Sequence, residues 1–248
     1  MHLLPTRKLS AAANMAVDQL LLEHYPEPDQ PRFRHYEWSC QAFTFGRTQK
    51  FAEAEQRLPV HTTWREAHDH FAEKFQIIRR STGGGVVDHR DDWTYALVVP
   101  TSHALAKLKA GEAYREVHNI LAWALKAQAV EATLSPCPCT DHATDESPAL
   151  AAAVCFQRAE PGDVIDDDGE KLAGAAQRRT RDGLLMQGSI QRATIRSINW
   201  TRFEADFTGA LAEWLGGAAT KQPFPKWKQQ TLADLIAHYE SKDWNQRR

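Results

Sequence analysis

The chain has 248 residues, a hydrophobic fraction of 42% and a formal net charge of −2. That length can bury a substantial core as one large domain or two small ones. The charge gives no electrostatic argument for nucleic acid, and no apolar run approaches the roughly 18 residues of a membrane span. The segment Met1-His2-Leu3-Leu4-Pro5-Thr6-Arg7-Lys8 places its charge after the leucines and has no apolar core, unlike a signal peptide. The chain carries 4 cysteines, and Cys137 and Cys139 are only one residue apart. That spacing does not resemble a secreted disulfide framework. A cytoplasmic location is expected, with no nucleic-acid or membrane partner.

In chain order, Ser10 can cap a helix reaching about His24, with Ala12, Met15, Ala16 and Leu20 on one side. Pro26, Pro28 and Pro31 break it. Strands are predicted over Arg32 to Glu37, Ala42 to Gly46 and Phe75 to Arg79, with an apolar strand at Thr94 to Val99. Helical spacing of Val117, Ile120, Leu121, Ala124 and Leu125 predicts an amphipathic helix from Glu112 to Gln128. Asp168-Gly169 reads as a hairpin turn between Asp163-Val164-Ile165 and a strand beginning at Lys171. A lysine there would project its amine from a rigid support. Thr201-x-x-Glu204 reads as a capping box opening a helix that carries Phe203, Phe207, Leu211 and Trp214 and stops at Gly216-Gly217. Residues 217–229, with Pro223 and Pro225, look linker-like ahead of a last helix over Thr231 to Tyr239. The expected class is α+β, a mixed β-sheet flanked by helices. A single domain over 1–248 is predicted, with residues 217–248 as a short helical tail.

The chemistry centres on Arg79-Arg80-Ser81-Thr82-Gly83-Gly84-Gly85-Val86-Val87-Asp88-His89. Three consecutive glycines weaken regular structure. They suit a sharp turn or a ligand lying close to the main chain, and paired arginines suit phosphate or carboxylate. The spacing fits neither a P-loop nor a dinucleotide fingerprint. A second segment is Lys171-Leu172-Ala173-Gly174-Ala175-Ala176-Gln177-Arg178-Arg179, followed by Gly183-Leu184-Leu185-Met186-Gln187-Gly188-Ser189-Ile190. Cys137-Pro138-Cys139 with His142, and Cys155 beyond it, could be weighed as zinc ligands, but Cys-x-Cys is tighter than the usual zinc spacing. His68 and His70 lie in a polar stretch that reads as solvated surface. No metal site is predicted.

These segments resemble the signatures of the lipoate–protein ligase and octanoyltransferase family, which shares its catalytic domain with biotin ligases. Arg79 to His89 is similar to its Arg-Arg-x-[Ser/Thr]-Gly-Gly-[Gly/Arg]-x-Val-x-His. Lys171 to Arg179 and Gly183 to Ile190 are similar to its lysine segment and the strand that follows. Weaker likenesses are Asn14-Met15-Ala16-Val17-Asp18 and Asp243-Trp244-Asn245, so the resemblance runs in order along nearly the whole chain.

The branch of the family turns on Cys155-Phe156, sixteen residues before Lys171. Octanoyltransferases of this kind place a nucleophilic cysteine there, whereas the ATP-dependent ligases generally do not. A free cysteine is also an ordinary buried packing residue. Gly85 is more typical of the ligases. Many ligases append a further domain, for which a chain ending at Arg248 is expected to leave no room.

The resemblance implies an acyltransferase with Cys155 as nucleophile and Lys171 holding the acyl carbonyl oxygen. Arg80, Thr82, Gly83, Gly84 and Gly85 would line the mouth of an acyl tunnel. His89 would steady the loop or move a proton. Gly174, Gln177, Gln187 and Ser189 would lie around the pocket. The donor implied is octanoyl-acyl carrier protein, and the acceptor a lipoyl domain or a glycine-cleavage H-type protein. No cofactor is required on this reading. An ATP-dependent lipoate ligase would need ATP and magnesium. An amidotransferase acting between carrier proteins and a non-catalytic acyl- or cofactor-binding protein on the same scaffold stay open. A biotin ligase does not fit, because its Gly-Arg-Gly-Arg type loop is absent.

Overall fold

In the computed structural model, residues 1–58, 75–136, 159–195 and 197–247 are described. The chain opens on strand β1 (His2–Leu9), which the sequence did not predict. Pro5 lies within it, and its register against the next strand slips between Leu4 and Arg7. A proline and a bulge erase the alternation by which a strand is recognised. Ser10 then caps α1 (Ala11–Glu23), its hydroxyl oxygen accepting from the Ala13 amide at 3.3 Å. The helix is buried almost all round, because it lies between the main sheet and a C-terminal helix.

Strands β2 (Arg32–Trp38) and β3 (Gln41–Phe45) follow as predicted, then a short helix α2 (Phe51–Gln56) and β4 (Phe75–Arg79). Next come β5 (Val87–Asp88), β6 (Asp92–Val99), α3 (Ala104–Lys107) and α4 (Ala110–Lys126). The following strands are β7 (Thr133–Leu134), β8 (Val164–Ile165), β9 (Lys171–Thr180) and β10 (Gly183–Gln191). Helix α5 (Trp200–Trp214) starts earlier than its predicted capping box. Asn199 caps it, with Oδ1 accepting from the Arg202 amide at 3.1 Å, and Thr201 falls inside the first turn. Its C-terminus closes on Gly216, at φ 84, as expected.

The linker-like stretch holds an edge strand, β11 (Thr220–Lys221), parallel to β1. The chain then runs through α6 (Gln229–Glu240), which packs on α1, and α7 (Lys242–Asn245).

An eight-stranded mixed sheet runs β11–β1–β2–β6–β10–β9–β8–β7, beside a three-stranded sheet β4–β3–β5. This is the expected α+β arrangement. Central strand β6 is buried on both faces. Trp93, Tyr95, Leu97 and Val99 meet Val117, Leu121 and Leu125 of α4 and Phe203, Phe207 and Leu211 of α5. Ala96 and Val98 belong to the opposite cluster, with Met15 and Ala16 of α1 and Tyr239 of α6. Burying each large side chain of this kind stabilises the fold by about 1.5–3 kcal/mol. Phe43, Phe45, Ile77 and Val86 form a smaller core under the three-stranded sheet and support the glycine segment.

Candidate active site

A narrow cleft with a cavity volume of about 40 Å³ runs between the two sheets. Six of the predicted site residues line it: Arg80, His89, Lys171, Gly174, Gln187 and Ser189. Met15, Tyr36, Trp38, Val87, Ala175 and Ala176 supply much of the apolar wall.

Lys171 is the first residue of β9. The turn before it is longer than a two-residue hairpin. It runs over 166–170, with Gly169 at φ 82 and the Asp166 carboxylate accepting from the amides of Asp168 (3.1 Å) and Glu170 (2.8 Å). The lysine is nearly fully buried, and its Nζ lies 2.6 Å from Asp163 Oδ2. Gly174 makes that placement possible. A Cβ there would come within 2.6 Å of Lys171 Cε and 2.7 Å of Nζ.

Two polar networks hold the remaining walls. In the first, Asp92 Oδ2 accepts from the Ser189 hydroxyl at 2.6 Å and the Thr94 hydroxyl at 2.8 Å. It also contacts His89 Nδ1 at 2.7 Å. His89 Nε2 lies 2.8 Å from Thr44 Oγ1, and the ring stacks on Trp38 at 4.1 Å. His89 is therefore fixed on both nitrogens, which favours its loop-steadying role. In the second, the Thr82 hydroxyl donates to Gln187 Oε1 at 2.7 Å, and Gln187 Nε2 donates to Asp18 Oδ2 at 2.6 Å. Asp18 in turn forms a fully buried ion pair with Arg34 at 2.6 Å, and Arg34 also donates to the Asn14 backbone carbonyl at 2.8 Å. Burial pushes the Asp18 carboxyl up, opposed by the Arg34 charge and the Gln187 hydrogen bond. The Asn14…Asp18 likeness thus marks two residues on one helix face that anchor the cleft floor.

Several expected site residues lie apart from the described lining of the cleft. Thr82 is fully buried behind the cleft, where it orients Gln187 rather than forming a wall. Gly83, Gly84 and Gly85 are likewise outside the cleft lining among the described residues. They bend the chain so that the Arg80 guanidinium reaches Gly83 O and, at 3.2 Å, Thr44 Oγ1. Arg79 is no anion ligand. It donates to the carbonyls of Arg47, Gln49, Trp244, Asn245 and Arg247. The Trp244 indole donates back to Arg79 O at 2.7 Å, which explains the Asp243-Trp244-Asn245 likeness. Gln177 is not among the described lining residues and donates to Ala110 O at 2.8 Å.

Cys155 lies outside the described residues, as do Cys137, Cys139, His142, His68 and His70. Among the described residues no group of three or more His, Cys, Asp or Glu side chains could hold a metal ion, and no helix is long and apolar enough to cross a membrane. Asp163, Tyr114, Asp92 and Arg34 were not singled out from the sequence as site residues, whereas Asp18 stood in the Asn14…Asp18 likeness. Only Asp92, three residues after His89, had a spacing that could have suggested it.

The loop geometry separates two adjacent glycines. Gly84 sits at φ 84, whereas a Cβ on Gly83 would meet nothing within 4 Å. Gly84→Ala should therefore lose about 1–2 kcal/mol through left-handed strain, while Gly83→Ala stays within roughly 0.5 kcal/mol of the parent. Chemical denaturation of the two variants checks this, and equal stabilities would contradict it.

A buried lysine at a strand head thus faces Arg80 of the glycine-bent loop across a largely apolar cleft. Residues 10–195 match the lipoyl protein ligase A/B catalytic domain, and the chain belongs to that family. It is 29% identical over 208 residues to octanoyltransferase LipM of Exiguobacterium sp., covering 84% of this chain and 71% of that one. It is 31% identical over 182 residues to the LipM of Bacillus cereus, covering 73% of this chain and 61% of the relative. The chain thus spans between about three fifths and seven tenths of these relatives. Among solved structures, lipoate-protein ligase A bound with ATP superposes with a TM-score of 0.73 at 15% identity, covering 99% of this chain and 98% of that one. A bi-partite lipoate protein ligase from Thermoplasma acidophilum, described with its E2 lipoyl domain, gives 0.73 at 14% identity, covering 99% and 95%. At these identities the superpositions establish the fold.

Proposed function

We propose that this enzyme is an octanoyltransferase that moves an octanoyl group from acyl carrier protein to a lysine of a lipoyl-carrier domain through a thioester on Cys155. The observation that carries this reading is the alignment with LipM octanoyltransferases over most of the chain. Cys155-Phe156 ahead of Lys171 supports it at the level of sequence.

In the first half-reaction the Cys155 thiolate attacks the donor thioester carbonyl. The carbon–sulfur bond to the carrier breaks, and the carrier thiolate leaves and takes up a proton. In the second, an acceptor lysine amine attacks the acyl-cysteine. It forms an amide, gives up a proton, and the Cys155 thiolate departs. Lys171, on the cleft wall, donates a hydrogen bond to the carbonyl oxygen as negative charge develops on it. The apolar walls around Met15, Tyr36, Val87 and Ala176 accept the hydrocarbon chain.

The acceptor is a lipoyl domain or a glycine-cleavage H-type protein, and the reaction takes place in the cytoplasm. Thioester chemistry needs no ATP or magnesium, whereas a lipoate ligase needs both. The deciding assay follows the mass of a lipoyl domain incubated with enzyme and octanoyl-acyl carrier protein. The transferase reading expects one octanoyl group added without nucleotide. Modification only with ATP and free octanoate or lipoate would establish the ligase instead.

A further inference from the structure

We infer that Asp163 and Tyr114 are positioning residues that fix Lys171 in the cleft as an ammonium, so that it acts as a charged hydrogen-bond donor and not as a base. The inference rests on the acyl-transfer reading of the cleft.

Both Asp163 oxygens are engaged. Oδ2 takes the Lys171 ammonium at 2.6 Å and the Glu160 amide at 2.7 Å, and Oδ1 takes the Tyr114 hydroxyl at 2.5 Å. The Tyr114 hydroxyl accepts in turn from the amide of Ala175, a cleft-lining residue on the strand that carries Lys171. Tyr114 therefore ties the carboxylate to β9, and the acid cannot swing without disturbing the strand. Gly174 leaves the space in which the lysine lies against the acid. Behind them the His118 ring packs 4.1 Å from Tyr114, and its Nδ1 meets Gly162 O at 2.7 Å, which holds the backbone beside Asp163.

The charges around Lys171 point the same way. Among the described residues, Asp163 is an acidic group in contact with it. Tyr114 stays a neutral donor, because burial and the neighbouring carboxylate raise its hydroxyl well above the ordinary value. Burial pushes His118 down to about 4, so it is neutral near pH 7. Arg80 and His89 lie on other walls of the same cleft. A buried amine without a countercharge favours its neutral form. A neutral amine could take the proton of a thiol, whereas an ammonium paired with Asp163 can only donate.

The test uses two variants of the full chain, each checked for a cooperative melting transition. One readout does not depend on activity: the rate at which N-hydroxysuccinimidyl acetate labels Lys171 at neutral pH, followed by peptide mass. Only the neutral amine reacts, so removing the carboxylate in Asp163→Asn should raise the labelling rate about tenfold. The alkaline limb of kcat/KM for octanoyl transfer should also move to lower pH. Tyr114→Phe keeps the ring and the charges, and it should lower kcat about tenfold with KM within about twofold. Unchanged labelling and an unchanged pH profile in a folded Asp163→Asn would overturn the inference. If that variant does not fold, unchanged kcat in Tyr114→Phe would do the same. If the parent enzyme shows no octanoyl transfer, the function proposed above falls, and the labelling comparison still decides whether Asp163 holds the charge.

Discussion

Lys171→Ala should slow octanoyl transfer by about 10²–10³, the usual cost of losing one donor to a developing oxyanion. The same change leaves the buried Asp163 carboxylate without the cation now 2.6 Å away, at a stability cost of about 3–5 kcal/mol. The two effects can be separated. Lys171→Ala combined with Asp163→Asn removes the orphaned charge, so it should recover most of the stability and none of the rate. Single-turnover kinetics and denaturant melts on the single and double variants check this. A double variant that regained transfer would show that Lys171 serves the fold and not the chemistry.

The second large effect is expected far from any reacting atom. Asp18→Ala leaves the fully buried Arg34 guanidinium without its carboxylate and should cost about 3–5 kcal/mol. For a chain of this size that corresponds to a fall of roughly 6–20 °C in melting temperature. It also removes the acceptor of Gln187 Nε2, so the Gln187–Thr82 pair loses its anchor on the cleft floor. KM for the acyl donor should rise along with the loss of stability. Tyr36→Phe is the control, because the Tyr36 hydroxyl reaches Asp18 only at 3.4 Å and its loss should cost little. Equal melting temperatures for Asp18→Ala and Tyr36→Phe would contradict this account of the cleft floor.

Features governed by local chemistry were legible in the sequence. Ser10 caps α1 where its hydroxyl predicted, and Lys171 heads its strand after the acidic turn. The period-3.6 apolar stripe of α4 lies against the core. Pairwise chemistry between distant positions was not legible. Lys171 finds its carboxylate on the neighbouring short strand's approach, and Asp163 finds its phenol on α4, which no local pattern announces. Arg79 and Arg80 look equivalent in the sequence. In the structure one faces the C-terminal carbonyls and the other the cleft, because adjacent residues leaving a strand point to opposite sides. The glycine triplet announced a special backbone, but not whether a ligand or the chain's own turn required it. The φ of Gly84 answers for the turn. The linker-like prolines near 223 hid β11, a two-residue edge strand too short to show alternation.

The central claim is octanoyl transfer through a covalent cysteine intermediate, and the intact mass of the enzyme tests it most directly. After brief incubation with octanoyl-acyl carrier protein and no ATP, one octanoyl group should appear on the enzyme, map to Cys155 and pass to an added lipoyl domain. Cys155→Ala should show no adduct and no transfer. A Cys155→Ala enzyme that still transferred octanoyl groups at near the parent rate would contradict the account.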